Sequence, residues 1–375
     1  MEKKVYLDWI RFVGVFLVLY GHLATAASFI TQEATVFSDK YVLPINDATL
    51  HKAYIIDSFL AKFNTASAVI GVILFLWLTG YLTAMTRQKY TKGGFVTRRI
   101  IRLYPALIIA VVACGIIASF MGVKYSVFQY IANGLCLYPF MGFGATIGTL
   151  WTLTVELFFY FIVLHLVQLN FKNILIIDGI ILFLTASQAI TQCGDVTLMY
   201  ILKFIPIVLF GSMMFEFHKI KGVKKYFELI IVAVLSYLIP YISITYTFTA
   251  EVNYKSIASY LLAFGIWMLI YLLHKIDFKL INVSNKLLSF IVGTSYFVYL
   301  LQLHVGFTTM YFLREAGVGP YLNIICGIAV TFLVSAVLHY GCERPLQKGL
   351  LSKLKISESK LIAGERENIV PPIRK

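Results

Sequence analysis

The chain alternates between long apolar stretches and short polar connections. Ten apolar stretches can be drawn, and each approaches the ~20 residues that a helix needs to cross the hydrocarbon core of a bilayer. They cover residues 5–28, 66–86, 100–121, 149–169, 173–190, 197–216, 226–247, 256–275, 287–313 and 319–341. The pattern predicts an all-α polytopic membrane protein with about ten transmembrane helices.

The basic residues of the connections predict the orientation. An even number of spans puts both termini on one side, and the Lys- and Arg-rich loops after the second, sixth and eighth spans fall on that side. The opposite segment 122–148 contains only Lys124 among basic residues. Because cytoplasmic loops carry an excess of Lys and Arg, both termini are predicted to be cytoplasmic.

Composition supports the membrane prediction and narrows the partners. Of the 375 residues, 59% are hydrophobic and 13% charged, whereas a soluble protein has about 25% charged residues. The net charge of +14 fits the cytoplasmic loops, so no nucleic-acid partner is expected. The five cysteines lack a metal-ligand spacing, and we expect neither a metal site nor a disulfide framework.

The chain is predicted to form one transmembrane domain, residues 1–345, followed by a charged cytoplasmic tail, residues 346–375. Two long segments, 29–65 and 122–148, fall on the non-cytoplasmic side. The second is apolar and rich in glycine, and the sequence leaves open whether it is a re-entrant turn, a lid or an ordinary tethering loop.

Ionisable residues inside the first span are candidates for function, because such groups are costly in a membrane. Asp8 and Arg11 are three residues apart and share a helix face. His22 lies eleven residues after Arg11, on the same face and ~16 Å further along the axis, toward the outer leaflet. The alternatives are a structural ion pair for Asp8 and Arg11, and a packing role for His22.

The fourth span carries a second buried ionisable residue. Glu156 lies ~10 Å below the predicted outer surface, near the predicted depth of His22, and Thr152, Glu156 and Tyr160 form one polar stripe. The match in depth predicts an acid/base site or proton path, with an interhelical hydrogen bond as the alternative. We expect Lys203 to reach the nearer surface and His304 to be interfacial.

The segment RRIIRLYP, residues 98–105, is predicted to bind anions. Arg98, Arg99 and Arg102 cluster where the third span leaves the cytoplasm, and their guanidinium groups suit the phosphates of a large cofactor. The alternative is contact with lipid headgroups.

Taken together, these segments resemble the acyltransferase 3 family of multi-pass bacterial membrane enzymes. The resemblance extends from residue 5 to about 345 and rests on six motifs in order. They are LDWIR (7–11) followed by His22; GVILFLWLTGY (71–81); RRIIRLYP; WTLTVELFFY (151–160); GTSYFVYLLQLH (293–304); and CERP at the end of the tenth span, with Glu343 and Pro345. In the second motif the family usually has Ser-Gly, and Thr79 keeps the hydroxyl at the serine position.

The resemblance implies transfer of an acyl group, usually acetyl from acetyl-CoA, to a hydroxyl group of a sugar. It makes His22 and Arg11 the essential pair and Arg99 and Arg102 the family's second arginine motif. From their predicted positions, Arg11 holds the donor or balances Asp8, and Glu156 orients His22 or helps to position the acceptor. Donor contacts are expected from Arg98, Arg99, Arg102 and Tyr104. Roles in substrate contact or structure are expected for Thr79, Trp151, Tyr160, Tyr296 and Tyr299.

The predicted depths of these residues add a route for the donor and the acceptor. Acyl-CoA would bind from the cytoplasm, and a cell-surface glycan or its lipid-linked precursor would enter from the opposite face of the bacterial inner membrane. The oligomeric state stays open, with a homodimer as one option.

Two mechanisms and a second function stay open at this stage. His22 acts as general base, or the acyl group passes through a covalent acyl-His or acyl-Thr79 intermediate. A different class of function is a transporter or flippase for an acylated or glycosylated lipid, with His22, Glu156 and Lys203 as a proton relay. The arginine cluster favours the enzyme.

Overall fold

The computed structural model describes residues 5–26, 55–165, 169–192, 195–217, 222–247, 252–282 and 286–352. These residues are 84% helical and contain no strand, which confirms the all-α prediction. Nine helices are long and apolar enough to cross a membrane, and a shorter tenth, Leu150–His165, is equally apolar. The predicted segment 29–65 falls largely outside the described residues, as does the tail beyond residue 352.

The helices follow the predicted spans closely. In chain order they are α1 (Val5–Leu19), α2 (Ile55–Ala61), α3 (Ser67–Arg87), α4 (Lys92–Phe120), α5 (Val127–Gly134), α6 (Leu150–His165), α7 (Phe171–Thr191), α8 (Val196–Leu202), α9 (Ile205–Glu216), α10 (Lys224–Tyr246), α11 (Ile257–Lys275), α12 (Lys279–Asn282), α13 (Lys286–Leu301), α14 (Phe307–Glu315) and α15 (Pro320–Leu338).

Three helices continue into π-helical turns. These are Tyr20–Ala26 after α1, Gln302–Gly306 between α13 and α14, and His339–Glu343 after α15. A π turn holds an extra residue, so side chains beyond it leave the face that a regular helix would give them, and such turns are frequent at functional sites.

The start of α4 differs from the prediction. This helix begins at Lys92, where the Thr91 side chain accepts a hydrogen bond of 3.1 Å from the Gly94 amide, rather than near residue 100. The arginine-rich segment therefore lies inside a helix, and Arg99 and Arg102 share one face of it. The last helical segment likewise runs to Ser352, past the predicted end of the transmembrane domain.

Helices α3 and α9 pack with their backbones in close contact. A Cβ added to Gly80 would lie 1.9 Å from the Val208 carbonyl oxygen, and one added to Gly211 would lie 2.0 Å from that of Trp77. The Ser212 hydroxyl donates to the Gly80 carbonyl at 3.1 Å. Small residues thus let the two backbones touch, the usual packing of helices in lipid.

The segment 122–148, predicted to lie on the outer side and called the outer segment below, packs against α4 through Tyr130. The helix α5 leaves Val127, Phe128 and Ile131 exposed, as expected of a helix at a membrane surface. Its Asn133 is buried, donates to the Gly144 carbonyl and accepts from the Thr146 amide. These two bonds hold the loop after α5 against the helix, so the segment has a defined fold of its own.

Candidate functional site

Helices α1, α3, α4, α6 and α13 enclose an inner cavity of about 110 Å³. Its polar lining is formed by Arg11, Thr79, Arg99, Arg102, Thr152, Glu156, Ser295, Tyr296 and Tyr299. Leu, Val and Phe side chains of the same helices complete the walls. The fold thus brings residues from five of the six sequence motifs to one place.

Arg99 is the best-anchored charge of the inner cavity. Its guanidinium donates to the Tyr160 hydroxyl at 3.1 Å, to the Thr83 hydroxyl at 3.2 Å and to the Leu82 carbonyl at 3.3 Å. Tyr160 in turn donates to Glu156. The sequence analysis placed Arg99 at the cytoplasmic end of its span, but it is only 6% exposed and is fixed inside the bundle.

The charges around the inner cavity are unbalanced. Asp8 and Glu156 favour the positive charge of Arg11, while Arg99 and Arg102 oppose it. The three guanidinium groups of Arg11, Arg99 and Arg102 thus outnumber the two carboxylates, and the net charge around the cavity is positive. Charges in a membrane protein usually mark a substrate path, and this sign suits an anionic or strongly polarised ligand.

A basic pocket of about 320 Å³ adjoins the inner cavity, because Arg99 and Arg102 line both. Its other lining residues are Met85, Thr86, Lys89, Tyr90, Arg98, Ile101, Gln347 and Leu351. The Arg98 guanidinium stacks on the Tyr90 ring, 4.2 Å from its centroid. The sequence analysis did not single out Lys89 or Tyr90, since Lys89 counted there only as one charge of a basic loop.

His22 lies outside the inner cavity. It is half-buried in the π turn after α1, and its electrostatic partner is the Gln302 side chain. The sequence analysis paired His22 with Glu156 on depth alone, whereas the structure groups Glu156 with Arg11 and Tyr160. The π turns explain part of the difference, because the depth and face arithmetic assumed a regular α-helix.

Tyr299 connects the inner cavity to the neighbourhood of His22. Its hydroxyl accepts from Thr152 at 2.9 Å beside the cavity. Its carbonyl accepts from the Gln302 amide at 3.1 Å and from the Thr149 hydroxyl at 3.0 Å. Hydrogen bonds at Tyr299 therefore join two helices and the two parts of the site.

Two predicted site residues line neither space. Tyr104 is half-buried on α4, outside the inner cavity and the basic pocket. Trp151 packs in an aromatic cluster with Phe204, at 4.5 Å between ring centroids, and with Tyr200, at 6.1 Å. A structural role for Trp151 fits this position, and donor binding by Tyr104 stays a prediction.

Two expectations about buried polar residues were wrong. Lys203 does not reach a surface: it is fully buried, with its Nζ 4.0 Å from the centroid of the Tyr200 ring. Aromatic faces hold its charge in place of water. His304 is also fully buried and not interfacial, because the outer segment covers it and brings the Thr146 backbone to its ring.

Hydrogen bonds join the end of the tenth span to the backbone of α4. Glu343, which belongs to the CERP motif, accepts from His339 at 2.6 Å and from the Gln347 amide at 2.7 Å. The same amide donates to the Arg102 carbonyl at 3.2 Å. The π turn after α15 therefore ties this end of the chain to the arginine-bearing helix.

Asp178 was missed by the sequence analysis. It is fully buried on α7, and neither carboxylate oxygen has a hydrogen-bond partner within the described part of the chain. The rule that singled out Glu156, an ionisable residue inside an apolar span, finds it as well. It lines neither the inner cavity nor the basic pocket.

Comparison with known proteins identifies a family for this chain. The model of the acyltransferase 3 family, described as an acyltransferase domain, matches residues 4–340, nearly the whole chain. No curated protein and no solved structure matches the chain.

Proposed function

Because the chain belongs to the acyltransferase 3 family and is thus a membrane acyltransferase, we propose that it moves acetyl from acetyl-CoA to a hydroxyl group of a cell-surface glycan or its lipid-linked precursor. The observation that carries this proposal is the basic pocket that opens into the inner cavity. A cationic entrance followed by a narrower polar space suits a donor with phosphates at one end and a thioester at the other.

The donor phosphates are assigned to Lys89, Arg98 and Arg102. These three cations line the basic pocket. Arg99 is assigned a different role, because its hydrogen bonds to Tyr160, Thr83 and Leu82 leave it facing the inner cavity. Guanidinium groups bind phosphate in a bidentate manner, and lysine adds a point charge.

The acyl arm is assigned to the inner cavity. Thr79, Tyr296 and Tyr299 line this space with apolar neighbours, a mixture that accommodates an amide-containing arm. The path continues past Tyr299, whose carbonyl is bonded to Gln302, the partner of His22. The thioester and the acceptor hydroxyl would meet at His22.

The reaction is a direct acyl transfer with His22 as general base. His22 removes the proton of the acceptor hydroxyl while that oxygen attacks the thioester carbonyl carbon. The new carbon–oxygen bond forms, the carbon–sulfur bond breaks, and the leaving thiolate takes the proton from the imidazolium. The products are the acetyl ester and CoA, and His22 returns to its neutral state.

Arg11 and Glu156 are assigned to positioning rather than proton transfer. Arg11 interacts with Glu156, and Glu156 accepts from Tyr160, so these side chains hold one another across α1 and α6. The positive excess of the cavity would attract the anionic donor on its way to His22.

The orientation follows from the basic loops. We place the basic pocket at the cytoplasmic side of the bacterial inner membrane, with both termini, and the acceptor entrance near His22 at the opposite side. This arrangement gives the donor and the acceptor separate routes to one reaction centre.

The test is CoA release in proteoliposomes supplied with acetyl-CoA and a glycan acceptor. His22→Ala is expected to lose turnover while retaining CoA binding, and His165→Ala, on the exposed end of α6, is the matched control with unchanged turnover. Unchanged turnover in a folded His22→Ala protein contradicts the mechanism. Acceptor movement without CoA release supports the transporter instead.

A further inference from the structure

Two π turns meet at His22. The turn Tyr20–Ala26 contains His22, the turn Gln302–Gly306 lies in the ninth span, and the two segments pack against each other. A Cβ added to Gly306 would lie 2.6 Å from the Leu23 side chain, so Leu23 packs directly on the Gly306 backbone. Rare helical distortions in both partners of one contact indicate that the contact itself has a function.

Gln302 is held rigidly beside the imidazole. It is fully buried, and its side-chain nitrogen donates to the Tyr299 carbonyl at 3.1 Å. This bond fixes which end of the amide is nitrogen, so the carbonyl oxygen Oε1 is the end left to interact with His22.

Two buried atoms of complementary type lie at this contact. Among the described residues, neither Gln302 Oε1 nor His22 Nδ1 has a hydrogen-bond partner of good geometry. The oxygen can only accept, and Nδ1 donates when it carries the ring proton. Pairing them satisfies both atoms, and buried polar groups in proteins are nearly always paired.

We propose that Gln302 is the positioning residue of His22: its Oε1 accepts the Nδ1 proton, which fixes the ring orientation and leaves Nε2 unprotonated as the base. The inference rests on the proposed function, since it assigns the tautomer of the proposed base. An amide serves this role without adding a charge, unlike the carboxylate that orients histidine in many other sites.

The first test needs no variant at the amide. Histidine nitrogens are labelled with ¹⁵N, and the His22 signals are identified by their absence in His22→Ala. The expected tautomer carries its proton on Nδ1 and none on Nε2. The opposite tautomer in wild-type protein overturns the proposal.

The second test separates positioning from structure. Gln302→Met removes the acceptor at similar volume and is expected to lower kcat by about 10- to 100-fold, with the KM for acetyl-CoA unchanged. Gln302→Glu restores an acceptor oxygen and is expected to recover part of kcat. Gln188→Met is the matched control, because Gln188 is also buried with an unpaired Oε1 but lies on α7, and its kcat should not change.

The double variant distinguishes the two ways of failing. In a His22→Ala background, Gln302→Met should cause no further loss of turnover, since it acts only through His22. Full turnover in His22→Ala contradicts both the proposed mechanism and the role assigned to Gln302. An inactive His22→Ala protein with a Gln302→Met variant of normal kcat and unchanged tautomer overturns the role of Gln302 alone.

Discussion

Arg99 and Tyr160, 61 residues apart in the chain, are joined by a buried hydrogen bond of 3.1 Å between guanidinium and hydroxyl. The guanidinium also lies 4.7 Å from the centroid of the Tyr160 ring, so both the ring and the hydroxyl of Tyr160 interact with the cation. Since Tyr160 donates to Glu156, one hydroxyl links the positive and negative groups of the inner cavity.

Removing that hydroxyl should destabilise the protein. Tyr160→Phe leaves the buried Arg99 guanidinium and the half-buried Glu156 carboxylate each without one partner. Hydrogen bonds to charged groups contribute about 1.5–3 kcal/mol. We expect a loss of this size in the free energy of unfolding in detergent, together with lower turnover.

The control for Tyr160→Phe is Tyr237→Phe, which removes a hydroxyl bonded at 3.1 Å to the Lys255 carbonyl, a neutral acceptor. A neutral hydrogen bond contributes only about 0.5–1.5 kcal/mol. Equal losses for the two variants would contradict the special position of Tyr160.

Neutralising the basic pocket should weaken donor binding without slowing the chemistry. Lys89→Gln and Arg98→Gln remove contacts to a remote, non-reacting part of acetyl-CoA, so we expect KM for the donor to rise by about 3- to 10-fold with kcat unchanged. The effect should shrink at high salt because these contacts are electrostatic.

The comparison for this prediction is Lys286→Gln, at the start of α13 and outside the basic pocket. Kinetics are measured in detergent at two salt concentrations, with free CoA as a competing ligand. A fall in kcat at constant KM, or an equal effect of Lys286→Gln, would remove the phosphate assignment.

Most of the inner cavity was predictable from the sequence because polar residues inside apolar spans are few and costly. Arg11 and Glu156 stood out in this way, whereas Thr79 was named only through the resemblance to the acyltransferase 3 family. The fold brings all three to one cavity. A regular helix was sufficient to place them, since each lies in an α-helical stretch without a π turn.

Gln302, the partner of His22, could not be predicted from the sequence. Gln302 carries no charge and sits in a π turn, so neither the cost of ionisable groups nor the 3.6-residue period points to it. Lys203 was misplaced because its aromatic support comes from the junction between α8 and α9, where the helix breaks ahead of Pro206. Such local distortions depend on tertiary packing.

Thr79 offers a test of the covalent alternative. Its hydroxyl lines the inner cavity, and Thr79→Val removes this hydroxyl at nearly constant volume. Direct transfer through His22 predicts that turnover stays within about tenfold of wild type, because no bond to Thr79 forms. Loss of all turnover in Thr79→Val with recovery in Thr79→Ser, and an acetylated Thr79 peptide by mass spectrometry, would establish an acyl-enzyme.

Cysteine labelling tests the orientation of the chain. Cys342 is exposed at the end of the tenth span, whereas Cys136 is buried in the outer segment, and burial raises the pKa of the Cys136 thiol to about 12. Near pH 8 the Cys136 thiol is therefore protonated and unreactive, since only the thiolate attacks a maleimide.

The labelling is done in a Cys193→Ser background, because Cys193 lies outside the described residues. An impermeant maleimide should label Cys342 in inverted membrane vesicles and not in intact cells, which reports a cytoplasmic C-terminal end. Cys136 should react only after denaturation. Labelling of Cys342 in intact cells would reverse the predicted topology and, with it, the proposed donor side.

The contact between α3 and α9 should tolerate no side chain larger than hydrogen at its closest points. Gly80→Ala and Gly211→Ala would place a methyl group about 2 Å from a carbonyl oxygen of the facing helix, so the backbones must separate. We expect each variant to lower the melting temperature in detergent. Since Gly80 follows Thr79 in the cavity wall, we also expect lower turnover of Gly80→Ala.

Gly265→Ala on α11 is the control, because an added Cβ has no atom within 4 Å there and alanine favours a helix by about 1 kcal/mol relative to glycine. Equal melting temperatures of Gly80→Ala and Gly265→Ala would show that the stability of the bundle does not depend on the close contact between α3 and α9.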